Sequence, residues 1–506
     1  MLLLSDCITK LEKLNLLKMH TGLDSDFAIQ GISFDSKNVS DDYLFICKGA
    51  AFKAEYLKEA IANGASAYIS ENKYEDIDPS IPALIVSDIR RAMTLVALWF
   101  YDNPSEKLDV IAFTATKGKT TATHMTKQTL DSWVGNAGLI STIEMFDGRE
   151  TEESFNTTPE SPDLQRWLKR MVDNDVNKCV LEVSSQGLRY GRVDGTHLKV
   201  ASFMNIARDH ISPIEHKDFE DYFTAKLMIF EQAEIGIVNL DMDSNYVERV
   251  LDASRKHCKT TLTYSLQDDS ADFYGYDLKK NDKYTTFRLK SSYADTSDEL
   301  FEISMHGRFN VSNALAVIAS CLVVGEPLDL IKEGLRDARV DGRMEVFTSK
   351  DNNIIAIVDY AHNKLSYESL FSAMKEDYPE HAKNIRVIFG SVGEKAFERR
   401  EELGTVAGRC AKFSYISADY PGKEPFEKIA SEIAHFVELQ GGDYKIIEDR
   451  NVAIEEAIST AEGPTIVMAL GFGRLKWQKY ADGYVPRESD VECVERCLAE
   501  YDKKHS

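Results

Sequence analysis

The chain has no uninterrupted apolar run of ~18 residues, the length a helix needs to cross a bilayer, so no membrane span is expected. Its opening Met1-Leu2-Leu3-Leu4-Ser5-Asp6-Cys7 is too short an apolar run for a secretory signal, and no basic segment precedes it. Positive charge is scarce. Acidic side chains number 83 against 60 Lys and Arg, a net charge of −23. That balance argues against nucleic acid or an acidic membrane surface as partner, while a basic cleft inside an acidic shell could still take an anionic substrate. The eight cysteines form no CxxC framework. Cys493 and Cys497, four apart, fall on one helix face and read as reduced thiols. No low-complexity tract or short-period repeat is present. These absences leave a soluble globular protein, expected to be cytoplasmic.

With 506 residues, 43% of them hydrophobic and 28% charged, the chain is too long for one core and calls for roughly two to four domains. Short apolar runs at Tyr43–Cys47, Ala67–Ser70 and Ala83–Val86 predict strands, with helices at Leu57–Asn63 and Arg90–Tyr101. Asp102-Asn103-Pro104-Ser105 marks a turn or a linker. A second unit opens with the strand-like Leu108–Thr114 and continues through strands at Cys179–Val183 and Val200–Asn205. Its polar, Tyr- and Thr-rich stretch near 267–300 suggests antiparallel strands or a hairpin. A third unit repeats apolar strands at Ile354–Val358, Ile385–Phe389, Phe413–Ile416, Tyr444–Ile447 and Thr465–Leu470, separated by helical stretches. The expected class is α/β in three domains, with units at 1–105, 106–339 and 340–506, the last of them Rossmann-like.

The sharpest local signal is Thr114-Ala115-Thr116-Lys117-Gly118-Lys119-Thr120-Thr121, which follows a buried-type strand and opens a helix. Backbone N–H groups and a helix N-terminus can hold phosphate there. Lys119 would reach the β- and γ-phosphates, and Thr120 would offer its hydroxyl to Mg²⁺. Ala115 stands where the general pattern begins with glycine. Glu182 ends a neighbouring apolar strand, and Asp209 and His210 follow another, so all three fall at the same expected edge of the sheet.

These segments, with Ser33–Lys37, Asn156–Ser161, Glu182–Gln186, Asn205–His210, Asp221–Lys226, Gly307–Ala314, Asp341–Glu345 and Asp359–Asn363, resemble the Mur ligase family in its order, from about residue 30 to about residue 480. Glu182–Gln186 and Ile214-Glu215-His216 are similar to the branch that adds L-lysine as the third residue of the peptidoglycan stem. The resemblance implies a central P-loop ATP-binding domain, flanked by one domain for the UDP end of the precursor and one for the amino acid. It implies ATP and Mg²⁺ as cofactors, and UDP-MurNAc-L-Ala-D-Glu and an amino acid as partners. The γ-carboxylate of D-glutamate is phosphorylated by ATP, and an amine attacks the acyl phosphate. Cell-wall synthesis, and with it cell shape and division, is the implied process, carried out by a monomer.

Carried over by the resemblance, Lys119, Glu182, His210 and Lys226 are catalytic. Thr120, Glu182, His210 and Lys226 are metal ligands, with Lys226 as a carbamate, an oxygen ligand suited to hard Mg²⁺. Without the resemblance Lys226 reads as a solvated surface lysine. ATP is assigned to Thr116, Lys117, Gly118, Lys119, Thr120, Thr121, Phe309, Asn310, Asn313 and Arg343. The UDP-precursor is assigned to Ser36, Thr157, Thr158, Ser184 and Arg192, and the amino acid to Arg400 and Asp419.

The sequence departs from the family's pattern at Ala115, at Phe472, where many relatives have lysine, and in Asp419-Tyr420-Pro421-Gly422. Gly422 stands where relatives that add meso-diaminopimelate carry an arginine for its second carboxylate, so L-lysine is expected first and L-ornithine next. Two other readings stand beside the ligase. A folate-extending sister is opposed by Asn156–Ser161 and Glu182–Gln186. A divergent paralog that binds precursor or nucleotide without turnover is motivated by Ala115 and Phe472.

Overall fold

Asp109–Thr114, Lys178–Glu182 and Ile354–Asp359 are buried along almost their whole length instead of alternating, the pattern of strands covered on both faces. The computed structural model sets them inside two large, mostly parallel sheets. It describes residues 2–22, 26–49, 52–212, 215–281 and 283–505; Ile214, noted above, lies outside them.

The first sheet has five strands, in the order Leu17–Thr21, Ala83–Val86, Ala65–Ser70, Tyr43–Ile46, Gly31–Ser33. All pairs are parallel except that of the edge strand Leu17–Thr21. The helices Ala54–Ala62 and Ile89–Phe100 fall where expected. The helix Leu4–Lys13 does not follow from the apolar opening read as a run. Its buried Leu4, Cys7, Ile8 and Leu11 follow the helical i, i+3, i+4, i+7 spacing.

The second sheet has eleven strands. At its centre Asp109–Thr114 lies between Lys178–Glu182 and Leu198–Phe203, all three parallel. Their carboxyl ends therefore meet on one edge, where ligands bind in open α/β sheets. The stretch expected to be antiparallel forms Phe273–Lys280, Thr285–Ser291 and Thr296–Ile303, which extend the same sheet. The third sheet runs Glu345–Thr348, Ile354–Asp359, Thr465–Leu470, Ile385–Phe389, Phe413–Ile416, Asp443–Ile446. Only the first of these is antiparallel to its neighbour. One apolar cluster runs from Ile111 and Leu139 through Leu315 and Ile318 to Ile357, Phe389 and Leu470, so the second and third sheets share a continuous core.

All eight cysteines are free; Cys493 and Cys497 lie 4.0 Å apart on the helix Asp490–His505. Among the described residues no helix is long and apolar enough to cross a membrane.

That last helix is pinned by a buried ion pair. Arg450 donates from Nε and Nη2 to Asp490, and Arg487 Nη2 reaches the same carboxylate at 2.8 Å. Burial pushes the Asp490 carboxyl up, but the two guanidinium groups hold it below its ordinary value of 3.8. Asp490→Ala would strand two cations in the interior. It is expected to cost about 3–5 kcal/mol of stability, read from denaturant unfolding. Because the folded-state pKa is depressed, the pair's contribution is full above the ordinary carboxylate range and is lost as pH falls through the depressed value. A destabilisation that stays constant down to the acid-unfolding limit would contradict this assignment.

Candidate active site

The phosphate loop leaves the central strand at Thr114 and enters the helix Lys119–Val134 through Gly118, whose φ of 88° is left-handed. A Cβ on Gly118 would sit 2.6 Å from Asn313 Oδ1, so only glycine fits both the backbone and the approach of the next helix. Ala115 is buried and is not among the described residues with positive φ, so its methyl fits the loop. Asn205 clamps the loop from the adjacent strand end: its Oδ1 accepts the Lys117 N–H at 2.9 Å and its Nδ2 donates to the Lys117 carbonyl at 2.7 Å. Thr116 is held by the Tyr222 hydroxyl at 3.0 Å and by the Ala207 N–H.

From Thr120 a chain of hydrogen bonds crosses the sheet edge. The Thr120 hydroxyl lies 3.1 Å from both oxygens of Glu182. Glu182 Oε2 also accepts the Thr142 N–H at 3.0 Å, and the Thr142 and Thr157 hydroxyls bond at 3.0 Å. Thr158 turns inward: its hydroxyl donates to the Glu182 carbonyl and accepts the Ser184 N–H. Ser184 caps the short helix Ser185–Arg189. Arg192 donates to the Thr158 carbonyl and to Glu160, which also pairs with Lys48.

Lys226 is buried, not solvated. Its Nζ donates to the Ala115 carbonyl at 2.7 Å, the same oxygen that Lys119 Nζ reaches at 3.0 Å. Burial drives the Lys226 amine well below its ordinary value, and the neighbouring Lys119 pushes the same way. Two ammonium groups on one carbonyl repel, so a neutral Lys226 relieves the site. Burial also lowers Lys117, to about 8, despite the attraction of Asp209. The His362 Nδ1–H donates to the Tyr360 carbonyl, which leaves Nε2 to accept from Lys117 Nζ at 3.0 Å. Asp209 takes Arg399 Nη2 at 2.9 Å and Asn363 Nδ2 at 2.7 Å, joining the phosphate-loop side to the third sheet's helices. His210 adopts a left-handed φ of 57°, unusual for a non-glycine residue, and its Nδ1 lies 3.0 Å from Glu215 Oε1.

These groups surround one cavity of about 1040 Å³. Its walls include the whole of Thr116–Thr121, with Thr157, Glu182, Ser184, Arg192, His210, Lys226, Phe309, Asn313, Arg343 and Asp419. Arg343 spans the two larger sheets, its Nη2 3.5 Å from the Thr120 hydroxyl and its guanidinium over the Tyr360 ring. Asp419 is buried in the wall, and burial pushes its carboxyl up to about 6 against the pull of Arg450 and Arg399.

Four expected residues stand elsewhere. Ser36 donates to Glu59 at 2.6 Å, and Asn310 Nδ2 is spent on the His306 carbonyl. Thr158 supports Glu182 and Ser184 from behind, outside the cavity lining. Arg400, assigned to the amino-acid carboxylate, is turned away from the cavity. Its guanidinium is taken by Glu424 and Glu432 on the far side of the helix Glu398–Cys410. Neighbouring helical residues point ~100° apart, and it is Arg399 that faces the cavity. Phe472 is also outside the lining, buried between Arg450 and Arg487, while Gly471 forms the wall. Asn205, which opens the Asn205–His210 segment, carries no role in the sequence reading, and neither do Thr142 and Arg399. An Asn just beyond an apolar strand was a signal for the first; nothing local distinguished the other two.

Three of the expected metal ligands fall at two places on the cavity wall. Thr120 and Glu182 form a hydroxyl–carboxylate pair suited to a hard cation, and His210 with Glu215 forms a second polar point. Among the described residues no three His, Cys, Asp or Glu side chains converge as a complete cluster. A cation at Thr120 and Glu182 would complete its shell with oxygen ligands from water or a nucleotide.

Comparison with known proteins is consistent with this architecture. Residues 113–321 match the Mur ligase middle domain and residues 342–473 the Mur ligase glutamate ligase domain. The UDP-N-acetylmuramoyl-L-alanyl-D-glutamate–L-lysine ligase of Streptococcus pneumoniae serotype 2 is 38% identical over 439 residues, covering 86% of this chain and 85% of that protein. The enzyme of the same name from Streptococcus sanguinis is 37% identical over 482 residues, 94% of each chain. Among solved structures, a UDP-N-acetylmuramoyl-L-alanyl-D-glutamate–2,6-diaminopimelate ligase superposes with a TM-score of 0.62 at 25% identity, over 94% of this chain and 95% of that one. A MurF ligase from Thermotoga maritima in complex with ADP shares the fold, with a TM-score of 0.62 at 17% identity over 94% and 99% of the two chains. With its phosphate loop, strand-end carboxylate and buried lysine in one cavity, and with relatives that match nearly end to end, the chain belongs to the Mur ligase family.

Proposed function

We propose that this ligase uses ATP to join L-lysine to the D-glutamate γ-carboxylate of UDP-MurNAc-L-Ala-D-Glu, in the cytoplasmic stage of peptidoglycan synthesis. The reading assigns the UDP end of the precursor to residues 1–105, ATP to 106–339 and the amino acid to 340–506. The observation that carries it is the single cavity walled by the phosphate loop, by Thr157, Ser184 and Arg192, and by Arg399 and Asp419. Three substrates that must react in sequence would meet there without leaving protein.

Lys119 and the N-terminus of its helix hold the β- and γ-phosphates. Thr120 and Glu182 would hold Mg²⁺, which neutralises charge between phosphate oxygens when bound. The chain's own cations, Lys117, Lys119 and Arg343, offset the repulsion between the precursor's carboxylate and ATP. Attack of the amine on the acyl phosphate forms the amide and releases phosphate. Arg399, with one edge on Asp209 and its face on the cavity, suits the α-carboxylate of the amino acid.

The choice of amino acid rests on the loop after Asp419. Gly422 has a left-handed φ of 59°, and a Cβ there would lie 2.5 Å from Glu394 Oε2. An arginine at that position would be strained by the left-handed backbone, and the Glu394 carboxylate stands beside it. Asp419 in the cavity wall would repel a second substrate carboxylate and attract an ammonium. At equal concentrations, ligation of L-lysine is expected to exceed that of L-ornithine, and to exceed that of meso-diaminopimelate by about 100-fold or more, the ~3 kcal/mol scale of an unpaired buried carboxylate. Preference for meso-diaminopimelate or a neutral amino acid would refute the assignment of L-lysine and leave the ligase reading standing.

A further inference from the structure

The loop between Glu153 and Thr157 carries an aromatic ring with almost no protein contact. Phe155 is 94% exposed, well above the 65% of Tyr484, the next most exposed large hydrophobic side chain among the described residues. Isolated half-exposed apolar side chains are ordinary on protein surfaces, but a ring this bare is held out for nothing in the folded chain. It also lines the cavity, beside Asn156 and Thr157.

The loop is held on both sides of the ring. The Ser154 N–H donates to the Ile143 carbonyl at 3.1 Å, and the Ser154 hydroxyl donates to the Asn156 carbonyl at 2.8 Å. Two residues on, the Thr157 hydroxyl joins Thr142, whose N–H is on Glu182, whose carboxylate meets Thr120. Phe155 therefore hangs from the hydrogen-bond chain that leads to the phosphate loop, not from the first sheet.

We propose that Phe155 is a substrate-binding residue whose ring closes over the apolar faces of the sugar–peptide part of the precursor. The inference rests on the ligase reading, which brings the precursor's reactive carboxylate to the phosphate loop. With Thr157 assigned to the precursor, the atoms leading away from that carboxylate would pass Phe155, which lines the same cavity two residues earlier. The pyranose C–H face and the alanyl methyl are the apolar surfaces on such a molecule, and an aromatic ring is the usual complement to them.

The test uses the full-length protein and its Phe155→Ala and Phe155→Trp variants. Because Phe155 packs against so little, Phe155→Ala should leave the unfolding midpoint unchanged and raise KM for UDP-MurNAc-L-Ala-D-Glu by about tenfold, with KM for ATP within about twofold of the parent. Phe155→Trp should keep the parent's KM. Its added emission should change on saturation with the full precursor but not with UDP alone. A precursor KM for Phe155→Ala within about twofold of the parent, or emission of Phe155→Trp indifferent to the precursor, overturns the proposal. An equal response to UDP alone places the ring on the uridine and overturns it as well. A parent protein that ligates normally while these variants behave so separates this failure from failure of the ligase reading.

Discussion

Lys119→Ala is expected to abolish ligation, with a loss of ~3 kcal/mol or more in transition-state stabilisation, a fall in turnover of at least about 100-fold. Lys119 opens the phosphate-loop helix, and its Nζ makes one hydrogen bond, to the Ala115 carbonyl four residues back. That bond contributes little to the fold and keeps the ammonium at the loop, where it can move onto a γ-phosphate. Burial lowers the ammonium's pKa, offset by the attraction of Glu182 and Asp209, so the protein spends stability to keep a cation there. The variant should fold and bind precursor while losing ATP-dependent turnover. Near-normal ligation by Lys119→Ala would remove the phosphate-loop argument.

The second large effect is expected at Lys226. Its amine is buried, lowered well below its ordinary value, and shares the Ala115 carbonyl with Lys119. A neutral amine is the form that adds CO₂; its nitrogen would bond the CO₂ carbon and release one proton, leaving a carbamate anion with two oxygens beside Lys119 and Lys117. Lys226→Ala should lose activity by about 100-fold or more, on the scale of removing one charged group from a preorganised site. Short carboxylic acids should restore part of it by supplying the missing oxygens. Full activity, with no response to added carboxylate, would reduce Lys226 to a packing residue.

Much of the scaffold was legible because its strands are buried on both faces and so appear as unbroken apolar runs: Ala83–Val86, Phe413–Ile416 and Thr465–Leu470 are found where the sequence predicts them. The phosphate loop was legible because Gly118-Lys119-Thr120 needs a strand before it and a helix after it, and both are there. The rest of the site depends on tertiary neighbours. Two adjacent arginines cannot be ordered by sequence alone, since the rotation of the helix Glu398–Cys410 decides that Arg399 meets Asp209 while Arg400 meets Glu424. Ser36 and Asn310 are of the right chemical type, yet Glu59 and the His306 carbonyl claim their side chains. Gly422 read as a missing cation; that a carboxylate from Glu394 stands beside it required the fold.

The most direct test of the ligase reading is ADP release by the unmodified protein with ATP, Mg²⁺, UDP-MurNAc-L-Ala-D-Glu and L-lysine, with the nucleotide-linked product weighed by mass spectrometry. ADP is expected to appear in step with the tripeptide product, and only when precursor and L-lysine are both present. No ADP release, or release with no amide product when every substrate is supplied, would contradict it.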